Sequence, residues 1–240
     1  AAVATVLSQM ASCAFVLSFL FGKKVPVKIS FGGYDRKLIQ RILLVGFTPF
    51  IIIAVDNVMI ISMNSVLQTY GGPGEGDMLI TCATIVQSFM LVITMPLGGI
   101  TGGTQTILAF NYGAGQPDRV KKAQRFIFFL SAGYTTILFI LAQTAGHIFV
   151  RLFTSDPALI AEAAKTIKIY TLAVIPLSIQ YVIVDGFTGL GKVQLSLPLS
   201  FFRKLVYFLP LFLLPRFFGA RATFYAEPIS DIIAPVVSIF

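Results

Sequence analysis

Long apolar stretches fill this chain, and ionisable residues stand inside several of them. The stretches run at about 1–22, 38–66, 78–111, 123–150, 160–188, 193–217 and 220–240. A helix needs about 20 apolar residues to cross the roughly 30 Å hydrocarbon core of a bilayer. In hydrocarbon every backbone N–H and C=O must be satisfied within the protein, which leaves helices and closed barrels. A barrel reads as alternating segments of about ten residues, and this sequence does not alternate. The expected fold class is an all-α membrane protein of about seven transmembrane helices.

Composition supports that class and excludes others. The 240 residues are 56% hydrophobic and only 12% charged, against about 45–50% and about 25% in a soluble domain. The net charge of +8 does not point to nucleic acid, because the basic residues gather in particular links. Residues 22–41 hold Lys23, Lys24, Lys28, Arg36, Lys37 and Arg41 against Asp35, and the 112–125 link holds Arg119, Lys121, Lys122 and Arg125. Lys192 marks the 191–192 link, whereas the 71–77 link, GGPGEGD, is acidic. Links rich in Lys and Arg stay in the cytoplasm. The bias puts these three basic links inside and the N-terminus outside, with Arg216 and Arg221 departing from it. Residues 27–37 are expected along the cytoplasmic surface. Lys23-Lys24-Val25-Pro26 is expected to end the first span. The chain starts and stops inside apolar runs, so it reads as a piece of a longer protein.

Local signals place helix ends and kinks. Asp156-Pro157 fits an N-cap followed by proline at the first helical position, and Gln116-Pro117-Asp118 starts another helix. Prolines fall inside spans at Pro49, Pro96, Pro176, Pro198, Pro210, Pro228 and Pro235. Each removes a backbone donor, which a membrane helix tolerates when a neighbour satisfies the freed carbonyl. Cys13 and Cys82 stand in apolar stretches outside any CxxC pair and read as small buried hydrophobes. His147 is the sole histidine, which argues against a histidine-based metal site. The clusters GGPGEG at 71–76 and GGITGG at 98–103 lack the GxxxxGK[ST] pattern of a phosphate-binding loop. Gly98, Gly99, Gly102 and Gly103 are expected to permit close helix contact or a kink. No nucleophile triad or metal cluster supports enzyme chemistry.

The intramembrane charges are the functional candidates. Asp56 lies in FIIIAVDNVMIISM and Asp185 in IQYVIVDGFTG. A charge at the bilayer centre costs roughly 3 kcal/mol on insertion scales, so such residues are paired or used. Tyr181 and Asp185 are four apart and share a helix face, which Thr188 continues. A carboxylate beside a phenol and a hydroxyl can hold a proton or a small cation, because removal from water favours the neutral carboxyl. Asp56 shares its face with Met59 and Met63, flexible side chains that suit a surface taking varied ligands. Asn57 and Asn64 lie on the adjoining face. Gln87, Met90 and Thr94 form a similar stripe, equally suited to interhelical hydrogen bonds. Arg203 and Lys204 are expected to pair across helices with Glu227 and Asp231.

Three segments resemble the multidrug and toxin extrusion (MATE) transporters: PLGGITGGTQTILAFNYGAGQPDRVKKA at 96–123, DNVMIISMNSVLQTYGG at 56–72, and FYAEPISD at 224–231. The likeness is nearest to the MepA-like branch. It implies one six-helix lobe plus one helix of a twelve-helix, two-lobe transporter. Residues 1–22 would be the last helix of the N-terminal lobe, 23–37 a cytoplasmic inter-lobe linker, and 38–240 the C-terminal lobe. The N-terminal lobe of the same protein would be a missing partner. The resemblance further implies an antiporter that exports cationic, lipophilic drugs by alternating access in exchange for H⁺ or Na⁺. It needs no cofactor beyond that ion and sits as a multi-pass protein in the cell membrane, the inner one in a bacterium. Asp56, Tyr181 and Asp185 match the family's cation-coupling positions and would hold any Na⁺. Asn57, Met59, Met63, Gln87 and Thr188 would line the substrate path. Two alternatives stand beside this: a lipid-linked oligosaccharide flippase of the same superfamily, and a non-transporting membrane assembly subunit.

Overall fold

A computed structural model describes residues 2–21, 32 and 35–240 of the chain. The stretch holding Lys23, Lys24, Val25, Pro26 and Lys28, and most of the 27–37 surface segment, lies outside the described residues. The helices are α1 (Ala2–Leu20), α2 (Arg36–Gly71), α3 (Glu75–Gly113), α4 (Pro117–Val150), α5 (Pro157–Tyr170), α6 (Val174–Gly189), α7 (Val193–Phe218) and α8 (Ala226–Ile239). A 3₁₀ segment, Ala220–Tyr225, precedes α8. No strand occurs among the described residues.

The chain forms two compact units, residues 1–47 and 48–240. In the first, α1 exposes its large apolar side chains, among them Val3, Met10, Phe15 and Phe19. Cys13 is exposed there, contrary to the expectation of burial, whereas Cys82 of the second unit is buried.

In the second unit α3 packs against α4, α5 and α6, α4 packs against α5 and α6, and α7 packs against α6 and α8. The core between them is built from Met63, Leu67, Leu79, Val86, Ile93, Ile167, Leu177, Leu211 and Phe224, all fully enclosed. The outer faces are also apolar, with Leu91, Met95, Phe110, Phe126, Phe129 and Leu209 exposed. Apolar side chains both inside and outside are what a helix surrounded by lipid requires. Phe50–Gly71, α3, α4 and α7 are each long and apolar enough to cross a membrane. The pair α5–α6 makes a fifth span if it is counted as one broken helix.

That break departs from the single span expected at 160–188. The chain turns by 49° between Tyr170 and Val174. Pro176 sits in the first turn of α6, where its missing donor and fixed φ suit a new helix and not the continuation of an old one. Gln143 of α4 covers the exposed end of α5, donating to Lys168 O at 3.0 Å and to Thr171 Oγ1 at 3.3 Å. The expected final span, 220–240, likewise divides into the 3₁₀ segment and the 14-residue α8.

Pro96 shows how a proline is accommodated without a break. It lies inside the 39-residue α3 and leaves the carbonyl of Val92, four residues earlier, without its helical donor. The Tyr134 hydroxyl of α4 donates to Val92 O at 2.8 Å. Asp156 caps α5 by accepting from Ala158 N at 2.9 Å, with Pro157 at the first helical position. The α2–α3 turn is tight enough that a Cβ on Gly71 would stand 2.8 Å from Gly76 Cα. By contrast, nothing among the described residues lies within 4 Å of a Cβ built on Gly98, Gly99, Gly102 or Gly103. Close helix contact within this unit does not explain them.

Candidate functional site

Two neighbouring cavities meet between α2 and α7. The first, about 200 Å³, is lined by Asp56 of α2, Tyr181 and Asp185 of α6, and Arg203 and Lys204 of α7. The second, about 230 Å³, shares Asp56 and Arg203 and adds Met59, Met63, Gln87, Tyr170 and Glu227. Asp56 and Arg203 form the wall common to both. Residues four apart on α6 lie one above the other, which brings Tyr181 and Asp185 into one cavity.

The carboxylates have different partners. Asp185 accepts from the Thr101 hydroxyl at 2.5 Å and from the Gln105 amide at 3.2 Å, both on α3. Both donors are neutral, and no ion pair among the described residues includes Asp185. Asp56 instead pairs with Lys204, Nζ to Oδ1 at 2.5 Å, and the same ammonium donates to Ile52 O at 2.6 Å. Arg203 donates from one guanidinium nitrogen to Asp231 at 2.9 Å and to Glu227 at 3.2 Å. Tyr170 adds a hydroxyl to Glu227 at 3.3 Å.

The expected partners of Arg203 and Lys204 are thus half corrected. Arg203 meets Glu227 and Asp231 on α8, but Lys204 turns to α2. Consecutive residues on a helix point about 100° apart at 3.6 residues per turn, so the two cations cannot share one neighbouring face. Gln180 ties α6 to both later helices. Its amide donates to Leu199 O at 3.2 Å and its carbonyl accepts from Ser238 at 2.6 Å.

The remaining candidates divide. Met59 and Met63 are buried and Gln87 donates to Met63 Sδ at 3.7 Å, so all three line the second cavity. Asn57 is exposed, lines neither cavity, and its amide donates to Ile53 O at 2.9 Å. Thr188 is also exposed outside both cavities, bonded to Val184 O at 2.9 Å. Thr101 and Gln105 are site residues that the sequence reading passed over. Their spacing of four, inside the glycine-rich segment, was the available signal.

Comparison with known proteins is consistent with this architecture. The curated Multidrug export protein MepA of Staphylococcus haemolyticus is 20% identical over 242 residues, covering 100% of this chain and 52% of that protein. A FAD transporter of Shewanella oneidensis is 24% identical over 158 residues, 65% of this chain and 34% of that protein. The chain therefore spans about half, or less, of the curated relatives it matches. A solved outward-facing multidrug resistance MATE family transporter of the MOP superfamily superposes with a TM-score of 0.84 at 18% identity, over 99% of this chain and 53% of its own. The MatE family model matches residues 50–213. That match takes in more than half of the chain, which accordingly belongs to the MatE family of multi-pass membrane transporters, proteins that carry solutes and are not enzymes.

Proposed function

We propose that this chain is the ion-coupling lobe of a secondary active antiporter that exports cationic, lipophilic compounds in exchange for H⁺ or Na⁺. One observation carries the reading: the Asp185 carboxylate sits in a cavity with only neutral donors against it. A charge left uncompensated in a low-dielectric site attracts a cation strongly. Thr101 and Gln105 orient the carboxylate without neutralising it, so it can load and unload a small positive ion. Tyr181, in the same cavity, offers a further oxygen to a sodium ion or a route for a proton. Asp56 contributes as a charge already matched by Lys204. Arrival of a cation near it loosens that pair, and loss of the cation restores it.

The coupling follows from reciprocity. An ion that binds one state better shifts the protein toward that state, and drug affinity changes by the same factor. A full swing between 1:99 and 99:1 takes about 5.5 kcal/mol of discrimination. Loading one buried carboxylate contributes part of it, and drug binding contributes the rest. A second lobe of the same protein would close the cleft, in keeping with relatives about twice as long.

The charge balance favours a cationic cargo over an anionic one. Arg203 and Lys204 line the cavities but are matched by Glu227, Asp231 and Asp56. Among the described residues neither cavity is lined by an unmatched cation that would hold a pyrophosphate, of an oligosaccharide carrier or of FAD. The test is efflux of a fluorescent lipophilic cation from vesicles holding the intact protein, under imposed H⁺ or Na⁺ gradients. Asp185→Asn is expected to abolish gradient-driven efflux. Efflux unchanged in both Asp185→Asn and Asp56→Asn would overturn the ion-coupling reading.

A further inference from the structure

A cavity larger than either of the two just described lies elsewhere among the described residues. A groove of about 740 Å³ runs between α4 and α6 on the outside of the helix packing. Its floor rests on a small buried cluster, Leu108, Ile127 and Val182. One wall is a stripe of α6 side chains, Ile179, Ile183, Phe187 and Leu190, at helical spacing. The other is Phe128 and Phe129 of α4, with Arg125 one turn and Lys121 two turns nearer its N-terminus. Gln124 fixes the register of the two helices by donating to Val182 O at 2.9 Å.

Two properties of this groove select its occupant. Its length along α6, from Ile179 to Leu190, is about 16 Å at 1.5 Å per residue. That is close to one leaflet of hydrocarbon, half of roughly 30 Å. Its cations lie toward one end. Val120, beside Lys121, packs on the same cluster as Leu190, which puts Lys121 next to the 190–192 turn and Lys192, and Arg125 lies one turn further in, beside the Gln124 that meets Val182. Neither Lys121 nor Arg125 takes part in an ion pair among the described residues, although Asp118 is close in the chain. Two unmatched cations at the polar end of a leaflet-deep apolar groove have the form of a lipid headgroup site.

We propose that the α4–α6 groove binds an anionic phospholipid, with an acyl chain along Ile179–Leu190 and the phosphate on Lys121 and Arg125. The positive link puts this headgroup on the cytoplasmic side. A zwitterionic lipid fills the apolar part but gains less from the two cations. At about 1 kcal/mol for each Lys or Arg near an anionic surface, preference for the anionic lipid amounts to about thirtyfold.

The chain contains no tryptophan, so Phe129→Trp reports this groove once any tryptophan elsewhere in the intact protein is replaced by phenylalanine. The purified protein is titrated in detergent with brominated phosphatidylglycerol or brominated phosphatidylcholine, and quenching of Trp fluorescence is followed. The expected result is quenching at about thirtyfold lower concentration of the anionic lipid. That preference disappears in Lys121→Ala/Arg125→Ala, and survives both the charge-keeping Lys121→Arg/Arg125→Lys and the neighbouring Lys122→Ala. Equal quenching by the two lipids overturns the proposal, as does a preference that survives loss of both cations. Failure of both lipids to quench also overturns it, because protein then covers the groove.

Discussion

Lys204 Nζ lies 2.5 Å from Asp56 Oδ1, and the two partners differ sharply in exposure: the lysine side chain is 4% exposed and the aspartate 47%. Removing either residue therefore has unequal consequences. Without Asp56, a buried ammonium keeps only the Ile52 carbonyl. Without Lys204, the carboxylate remains half open to solvent. A buried charge stripped of its partner costs 3–5 kcal/mol. Asp56→Asn is expected to destabilise the protein by about 3 kcal/mol, and Lys204→Met by about 1 kcal/mol or less. The double variant should recover most of the loss. Unfolding of the intact protein in detergent measures all three, and equal losses in the two single variants would contradict the asymmetry.

The Arg203 cluster predicts a larger effect. Asp231 is fully buried and Glu227 nearly so, and one guanidinium serves both. Arg203→Gln leaves two carboxylates without a counter-charge and is expected to cost about 3–5 kcal/mol. Asp231 Oδ2 has no hydrogen-bond partner among the described residues, and Glu227 still balances Arg203 when Asp231 is neutral. Asp231→Asn should therefore cost far less than Arg203→Gln. The same unfolding assay decides it, and the reverse order would show that the cluster is not held together by its arginine.

Gly189 brings α6 against α3 beside the candidate ion site. A Cβ there would stand 3.0 Å from Gln105 Cα and 3.1 Å from Gln105 O. These are backbone atoms, so the helices must separate, and Gln105 is a donor to Asp185. Gly189→Ala is expected to lower gradient-driven efflux more than it lowers expression or folding. Gly98→Ala, with open space around the added carbon, should leave the protein's stability unchanged or raise it by up to about 1 kcal/mol, because Ala is favoured over Gly in a helix interior. Efflux and unfolding measured on both variants separate the two effects.

What could be read from the sequence was local, and what could not was distant. The spacing of four in Tyr181 and Asp185 was enough to put them on one face, and both line one cavity. The spans at 78–111, 123–150 and 193–217 correspond to α3, α4 and α7 because hydropathy and the Gln116-Pro117 start are properties of a single segment. The Lys204–Asp56 pair joins residues 148 positions apart, and adjacency to Arg203 suggested the wrong partner. The turn before α6 left a trace in Pro176, but the apolar run continues through it, so composition alone reads as one span. Thr101 and Gln105 were masked by the glycines between them, which drew attention to backbone freedom instead of to two donors on one face.

Those donors give the sharpest test of how Asp185 works. Both stabilise the ionised carboxylate, the form left when its cation departs. Hydrogen bonds to a charged group are worth about 1.5–3 kcal/mol each, or about 10- to 100-fold in an equilibrium. Thr101→Val keeps the shape of the side chain but removes the 2.5 Å donor. The carboxylate then holds its cation more tightly, release slows, and gradient-driven efflux should fall by about tenfold or more. Thr101→Ser keeps the hydroxyl and should retain most of the activity. Gln105→Leu, removing the longer 3.2 Å contact, should produce a smaller loss in the same direction. In an Asp185→Asn background neither substitution has a charge left to act on, so neither should restore gradient-driven efflux. Vesicle efflux measured across this set, with unfolding midpoints as the control for folding, ties the effect to the carboxylate. A Thr101→Val protein that exports like wild type would remove Thr101 from the ion site.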